Sequence, residues 1–88
     1  MRTQLELWQV VKDNFDYYFF SGLCILIFEL ESYYVINSKE RHLLEKELLE
    51  HGDSDEYFLG KKGEPKQRLE FIDKMIKKHS ENAITENK

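Results

Sequence analysis

The side chains best able to do chemistry in this sequence are one cysteine, three histidines and a few closely spaced carboxylates. A reactive thiolate needs a nearby cation or a helix N-terminus. Cys24 falls near the start of an expected helix, but inside the most apolar run of the chain. Free cysteines are among the most buried residues, so Cys24 reads as a packing residue. His42, His51 and His79 lack ligand spacing, and neither Cys-x-x-Cys nor His-x-x-x-His occurs. They read as surface or helix-end residues, with a cation at His51 or His79 suiting the helix dipole. Glu29 with Glu31, and Glu45 with Glu47, stand two apart, so on helices the members of each pair face different ways. A general acid–base pair must converge in a pocket. Gly60-Lys61-Lys62-Gly63 lacks the spacing of a phosphate loop and reads as a lysine-bearing turn. The expectation is a non-enzyme, with no catalytic residue, metal or cofactor.

Two segments point to binding instead. Lys61, Lys62, Lys66 and Arg68 cluster beside Tyr57 and Phe58. Cations interleaved with aromatics can hold a nucleotide, an RNA loop or an acidic protein. The plainer reading is a solvated helix face balanced by Glu64, Glu70 and Asp73. Tyr57, Phe58, Lys61, Lys62 and Arg68 are the candidate residues for a partner or an anionic ligand. The second segment is Tyr17-Tyr18-Phe19-Phe20. Nine of the chain's twelve aromatics lie in its first 34 positions. Four in a row cannot all enter one small core from a helix end, which makes this run the candidate for self-association.

Bulk composition narrows the class. Eighty-eight residues make one small domain, marginal when alone. A net charge of −4 disfavours nucleic acid and anionic membrane as partners. The charge is uneven: residues 40–56 carry a net −5 and residues 61–79 a net +4. The single cysteine fits a reducing compartment. No secretory signal is visible, and the apolar window from Tyr17 to Leu30 falls short of a bilayer span. The expectation is a soluble, cytoplasmic protein.

These residues need elements to position them. Thr3-Gln4-Leu5-Glu6 has the capping-box pattern, and Leu5, Trp8, Val10, Val11 and Phe15 follow at helical spacing, giving a first helix over about 3–18. Ser21 is the expected cap of a second helix. In it Leu23, Leu26, Ile27 and Leu30 line one face, but it is apolar on nearly every side and hence expected to be buried all round. Tyr33–Ile36 is β-prone and could pair with Tyr57–Leu59. Asn37 or Ser38 caps a third helix carrying Leu43, Leu44, Leu48 and Leu49, which Gly52 stops. Its Glu40, Glu45, Glu47 and Glu50 fill the other faces. Pro65 opens a fourth helix with Leu69, Phe71, Ile72, Met75 and Ile76. The fold expected is all-α: a compact four-helix domain over 1–79, with room for one short β-pair, and a flexible tail over 80–88.

Taken in order, Gly22-Leu23-Cys24 opening an apolar helix, the Ile36-x-Ser38-x-Glu40 helix start, the Tyr57-Phe58 loop and the Arg68-x-x-x-Ile72 helix resemble a group of small proteins of tailed bacteriophages. The resemblance covers roughly residues 20–78. In that group the loop aromatic is often Trp, where this chain has Tyr57 or Phe58. The resemblance implies a phage accessory protein acting in the host cytoplasm, with Gly22, Cys24 and Arg68 as retained positions. The resulting expectation is a non-enzymatic protein that inhibits or sequesters a host defence factor, acting as a homodimer. The alternative is an oligomeric sponge for an anionic nucleotide held by Phe58, Lys61, Lys62 and Arg68. A helix-turn-helix regulator over Leu30–Leu49 ranks below both, because an acidic recognition helix would be repelled by phosphate.

Overall fold

The structure is a computed structural model that describes residues 1–18, 22–51 and 65–86, with 17, 18 and 82–86 as backbone only. Four α-helices form the described fold: α1 (Gln4–Asp13), α2 (Leu23–Ser32), α3 (Ser38–His51) and α4 (Pro65–Glu86). A 3-10 turn, Phe15–Tyr18, follows α1. No strand occurs among the described residues, and the domain is all-α.

α1 begins as its sequence predicts. Thr3 Oγ1 accepts from the Glu6 amide at 3.2 Å, and Glu6 Oε1 accepts from the Thr3 amide at 2.9 Å. The α ladder stops at Asp13 rather than running to Tyr18. Asn14 turns its side-chain Nδ2 back onto the Val10 carbonyl at 2.8 Å, a local bond that competes with helix continuation. The buried stripe is Leu7, Trp8 and Val11, with Phe15 added from the turn. Leu5, expected in that stripe, is only half-buried.

Gly22, not Ser21, is the N-cap of α2. Leu23, Leu26, Ile27 and Leu30 are buried, as their shared face predicts. The helix is not enclosed on every side, however: Ile25 is 47% exposed and Phe28 54%. Among the described residues α2 packs mainly against α3 and less against α1, through the face that carries Leu23, Leu26, Ile27 and Leu30.

Residues 33–36 form a helix-ending turn, not an extended strand. The Tyr34 amide donates to the Glu31 carbonyl at 3.0 Å and the Val35 amide to the Leu30 carbonyl at 2.9 Å. This is the Schellman pattern, in which one residue takes the left-handed conformation. That residue is Tyr34, at φ 62°. Glycine is favoured there because it has no Cβ to clash. The proposed partner strand, Tyr57–Leu59, lies outside the described residues.

Asn37 caps α3. Its Oδ1 accepts from the Glu40 amide at 2.9 Å, while Glu40 Oε1 accepts from the Asn37 amide at 3.0 Å. Leu44 and Leu48 enter the core, but Leu49 is exposed, and Glu40 and Glu47 are buried rather than on outer faces. α4 starts at Pro65 and continues past His79 to Glu86, through the segment expected to fray. The helix propensity of Glu81, Ala83 and Glu86 carries a nucleated helix onward without an apolar stripe.

α1 packs most extensively on α4 and also touches α3 and α2. The rings of Trp8 and Phe71 meet edge to face, 5.7 Å between centroids and 74° between planes.

Candidate functional site

Arg68 is the one residue of the expected ligand-binding set that the structure describes. It is 2% exposed, inside the helical packing near Phe71 and Ile72 in sequence, rather than on a solvated helix face. Burial pulls its guanidinium below the usual arginine value. Tyr57, Phe58, Lys61 and Lys62 lie outside the described residues. So do Phe19 and Phe20, while Tyr17 and Tyr18 are placed by backbone alone. Cys24 is half-buried against the core. Burial and then the Glu45 carboxylate push its thiol up, against the opposing Arg41 charge, a direction that disfavours the nucleophilic thiolate.

Two buried carboxylates on α3 organise what is described. At the first, Trp8 Nε1 donates to Glu47 Oε1 at 2.9 Å. His79 Nε2 stands 2.7 Å and 2.9 Å from the two Glu47 oxygens, and Lys78 Nζ is 3.5 Å away. Burial alone would push the Glu47 carboxyl up. The Trp8 and His79 hydrogen bonds, with the His79 and Lys78 charges, outweigh it and hold Glu47 below the usual carboxylate range. Glu47 thus ties α1, α3 and α4 together. His79, expected at a helix end, is mostly covered, and it reaches back over the third helix.

At the second, Glu40 accepts from the backbone amide and guanidinium of Arg2 at 3.0 to 3.3 Å and from the Asn37 amide. The Asn37 amide leads in holding Glu40 below the usual range, against burial, with Arg2 adding to it. An open groove of about 310 Å³ lies here, lined by Arg2, Tyr34, Val35, Ile36, Asn37 and Glu40. Tyr34 stands beside it, 94% exposed.

Between these sites, Arg41 bridges Glu31 at 2.8 Å and Glu45 at 2.9 Å, joining the end of α2 to α3. Glu40, Glu45 and Glu47 therefore each face a cation, and the acidic stretch presents less bare charge than its composition suggests. Among the described residues no group of three His, Cys, Asp or Glu side chains is placed to hold a metal ion. None of their helices is long and apolar enough to cross a membrane.

Sequence reasoning missed Arg2, Tyr34, Glu40 and Glu47. The Asn37-x-x-Glu40 pattern announced the cap but not the long-range partner on Arg2. Tyr34 follows a helix end where glycine is usual, a signal visible only once that end is located. The arrangement is suited to contact with another molecule: an apolar helix face at Ile25 and Phe28, two exposed tyrosines, and a groove with an oriented guanidinium. No protein-family model matches this sequence, and no curated protein or solved structure matches it either.

Proposed function

We propose that this chain is a non-enzymatic binding protein that docks onto another protein and so inhibits or sequesters it. The observation that carries the reading is the outer face of α2, where Ile25 and Phe28 stand about half exposed one helical turn apart. Tyr33 and Tyr34 follow directly, both exposed. Covering a Phe or Ile side chain is worth about 1.5–3 kcal/mol, and aromatic residues are enriched where proteins meet. The resemblance of its short motifs to tailed-phage proteins directs the reading to a bacterial host factor. A homodimer built through Tyr17–Phe20 is part of the same proposal. The nucleotide-sponge alternative is weaker, because Arg68, one of its four contacts, is buried.

The test compares the wild-type chain with Phe28→Glu in light scattering and in pull-downs from host lysate. Phe28 is exposed, so the variant is expected to keep its stability within about 0.5 kcal/mol. The expected result is one stoichiometric protein that the wild type holds and the variant loses, with self-association through Tyr17–Phe20 kept in both. A monomer that retains nothing, or a variant that retains the same partner equally well, overturns the reading.

A further inference from the structure

Hydrogen-bond capacity in the Arg2–Tyr34 groove is unevenly used. The side-chain acceptors on its floor are engaged. Glu40 Oε1 takes Arg2 Nη1 at 3.1 Å and the Asn37 amide at 3.0 Å. Glu40 Oε2 takes the Arg2 amide at 3.0 Å and Arg2 Nη1 at 3.3 Å. Asn37 Oδ1 takes the Glu40 amide at 2.9 Å. The donors are not used up. Among the described residues the Arg2 guanidinium bonds through Nη1 alone, leaving Nε and Nη2, and the Asn37 side-chain amide keeps its NH₂. With the Glu40 carboxylate filled and side-chain donors open beside it, the groove favours a ligand that accepts. A guanidinium held on one edge by a buried carboxylate is already oriented to receive another carboxylate on the next edge.

The walls suit a peptide more than a bare anion. Val35 and Ile36 are apolar, and the volume is near the lower end for ligand pockets, enough for a side chain or two. Tyr34 is the second, independent feature. It holds a left-handed backbone conformation that disfavours any residue with a Cβ, and its ring is almost wholly solvent-exposed, so packing within the fold does not offset that cost. A ring kept under those conditions has its use outside the fold. Tyr and Arg are also the residues that most often dominate binding between proteins.

We propose that this groove, between the end of α2 and the start of α3, docks a carboxylate-bearing segment of a partner protein, with Arg2 receiving the carboxylate and Tyr34 covering the neighbouring apolar side chain. The inference rests on the binding-protein reading above and names the chemistry of its partner. Because Arg2 and Glu40 form a neutral pair, selectivity comes from the direction of the open donors and not from long-range attraction.

The test is selection of a random heptapeptide library on the intact chain, with Arg2→Gln and Tyr34→Gly as parallel baits. The wild-type pool is expected to be enriched in Asp or Glu at one position beside an apolar residue. Those peptides should bind each variant about tenfold more weakly or worse, a change of the size interface anchors give. Tyr34→Gly separates binding from folding, since it should raise thermal stability while weakening binding. A pool without acidic enrichment, an empty pool, or Tyr34→Gly binding as tightly as wild type overturns the proposal. Acetate ions shifting the same backbone amides while the peptide pool is empty would also overturn it, assigning the groove to small free carboxylates. Loss of lysate capture in Phe28→Glu with no acidic enrichment here would sink this inference and leave the binding-protein reading standing.

Discussion

Glu40 and Glu47 sit two turns apart on the same helix, are both buried, and are both held below the usual carboxylate range. They nonetheless do different things. Glu47 draws its partners from the packed helices: Trp8 of α1, and Lys78 and His79 of α4. Glu40 draws its own from a turn and the N-terminal segment: Asn37 and Arg2. The first arrangement joins three helices and shows little to solvent. The second holds a guanidinium through Nη1 and leaves its Nε and Nη2 donors without a partner among the described residues. Burial alone thus does not distinguish a structural carboxylate from one that prepares a surface. The origin of the donors does.

The sharpest way to break this contrast is at Glu47. Glu47→Ala strands the buried Trp8 indole N–H and removes the carboxylate from His79 and Lys78, and should cost about 2–4 kcal/mol in urea unfolding. Glu47→Gln should cost less, because its amide oxygen still accepts from Trp8. If Glu47→Ala costs no more than Arg2→Ala, the distinction between the two ends of α3 is lost.

Arg2→Ala comes next. It leaves Glu40 with its Asn37 bonds, and Arg2 is itself 41% exposed and solvent-screened, so a loss near 1 kcal/mol is expected. Acid titration probes both ends at once. Each native carboxyl lies below the ordinary glutamate value of 4.5, so the stabilisation both provide is complete above about pH 4.5. It is lost as pH falls through the lowered native values. The urea midpoint should therefore fall on acidification below that point, and the combined Glu40→Gln and Glu47→Gln chain should show a flatter fall. An unchanged acid limb would mean that these carboxylates are not held as their geometry implies.

Much of the fold was legible because it depends on local signals. Thr3-x-x-Glu6, Asn37-x-x-Glu40 and Pro65 marked three helix starts, and the face of Leu23, Leu26, Ile27 and Leu30 was correct. The errors arose where neighbours decide. An apolar helix reads as buried on every side, but among the described residues α2 packs through its Leu23–Leu30 face, and Ile25 and Phe28 stay exposed. An arginine in a basic run reads as surface, but Arg68 falls on the inward side of α4. The candidate groove joins residue 2 to residue 40, a pairing that no spacing rule encodes.

The smallest effect sharpens the comparison most, because its sign is opposite. Tyr34 occupies the left-handed position of the turn after α2, where a Cβ is unfavourable and the exposed ring gains no internal packing. Tyr34→Gly should therefore stabilise the chain by about 0.5–1 kcal/mol, less whatever glycine adds to the entropy of the unfolded state. Tyr34→Ala keeps the Cβ and should gain nothing, so the pair separates backbone strain from loss of the ring. A higher urea midpoint for the glycine variant alone is the expected outcome. A loss of stability in Tyr34→Ala would mean that the ring supports the fold after all, and the Glu40 end of α3 would then be as inward-directed as the Glu47 end.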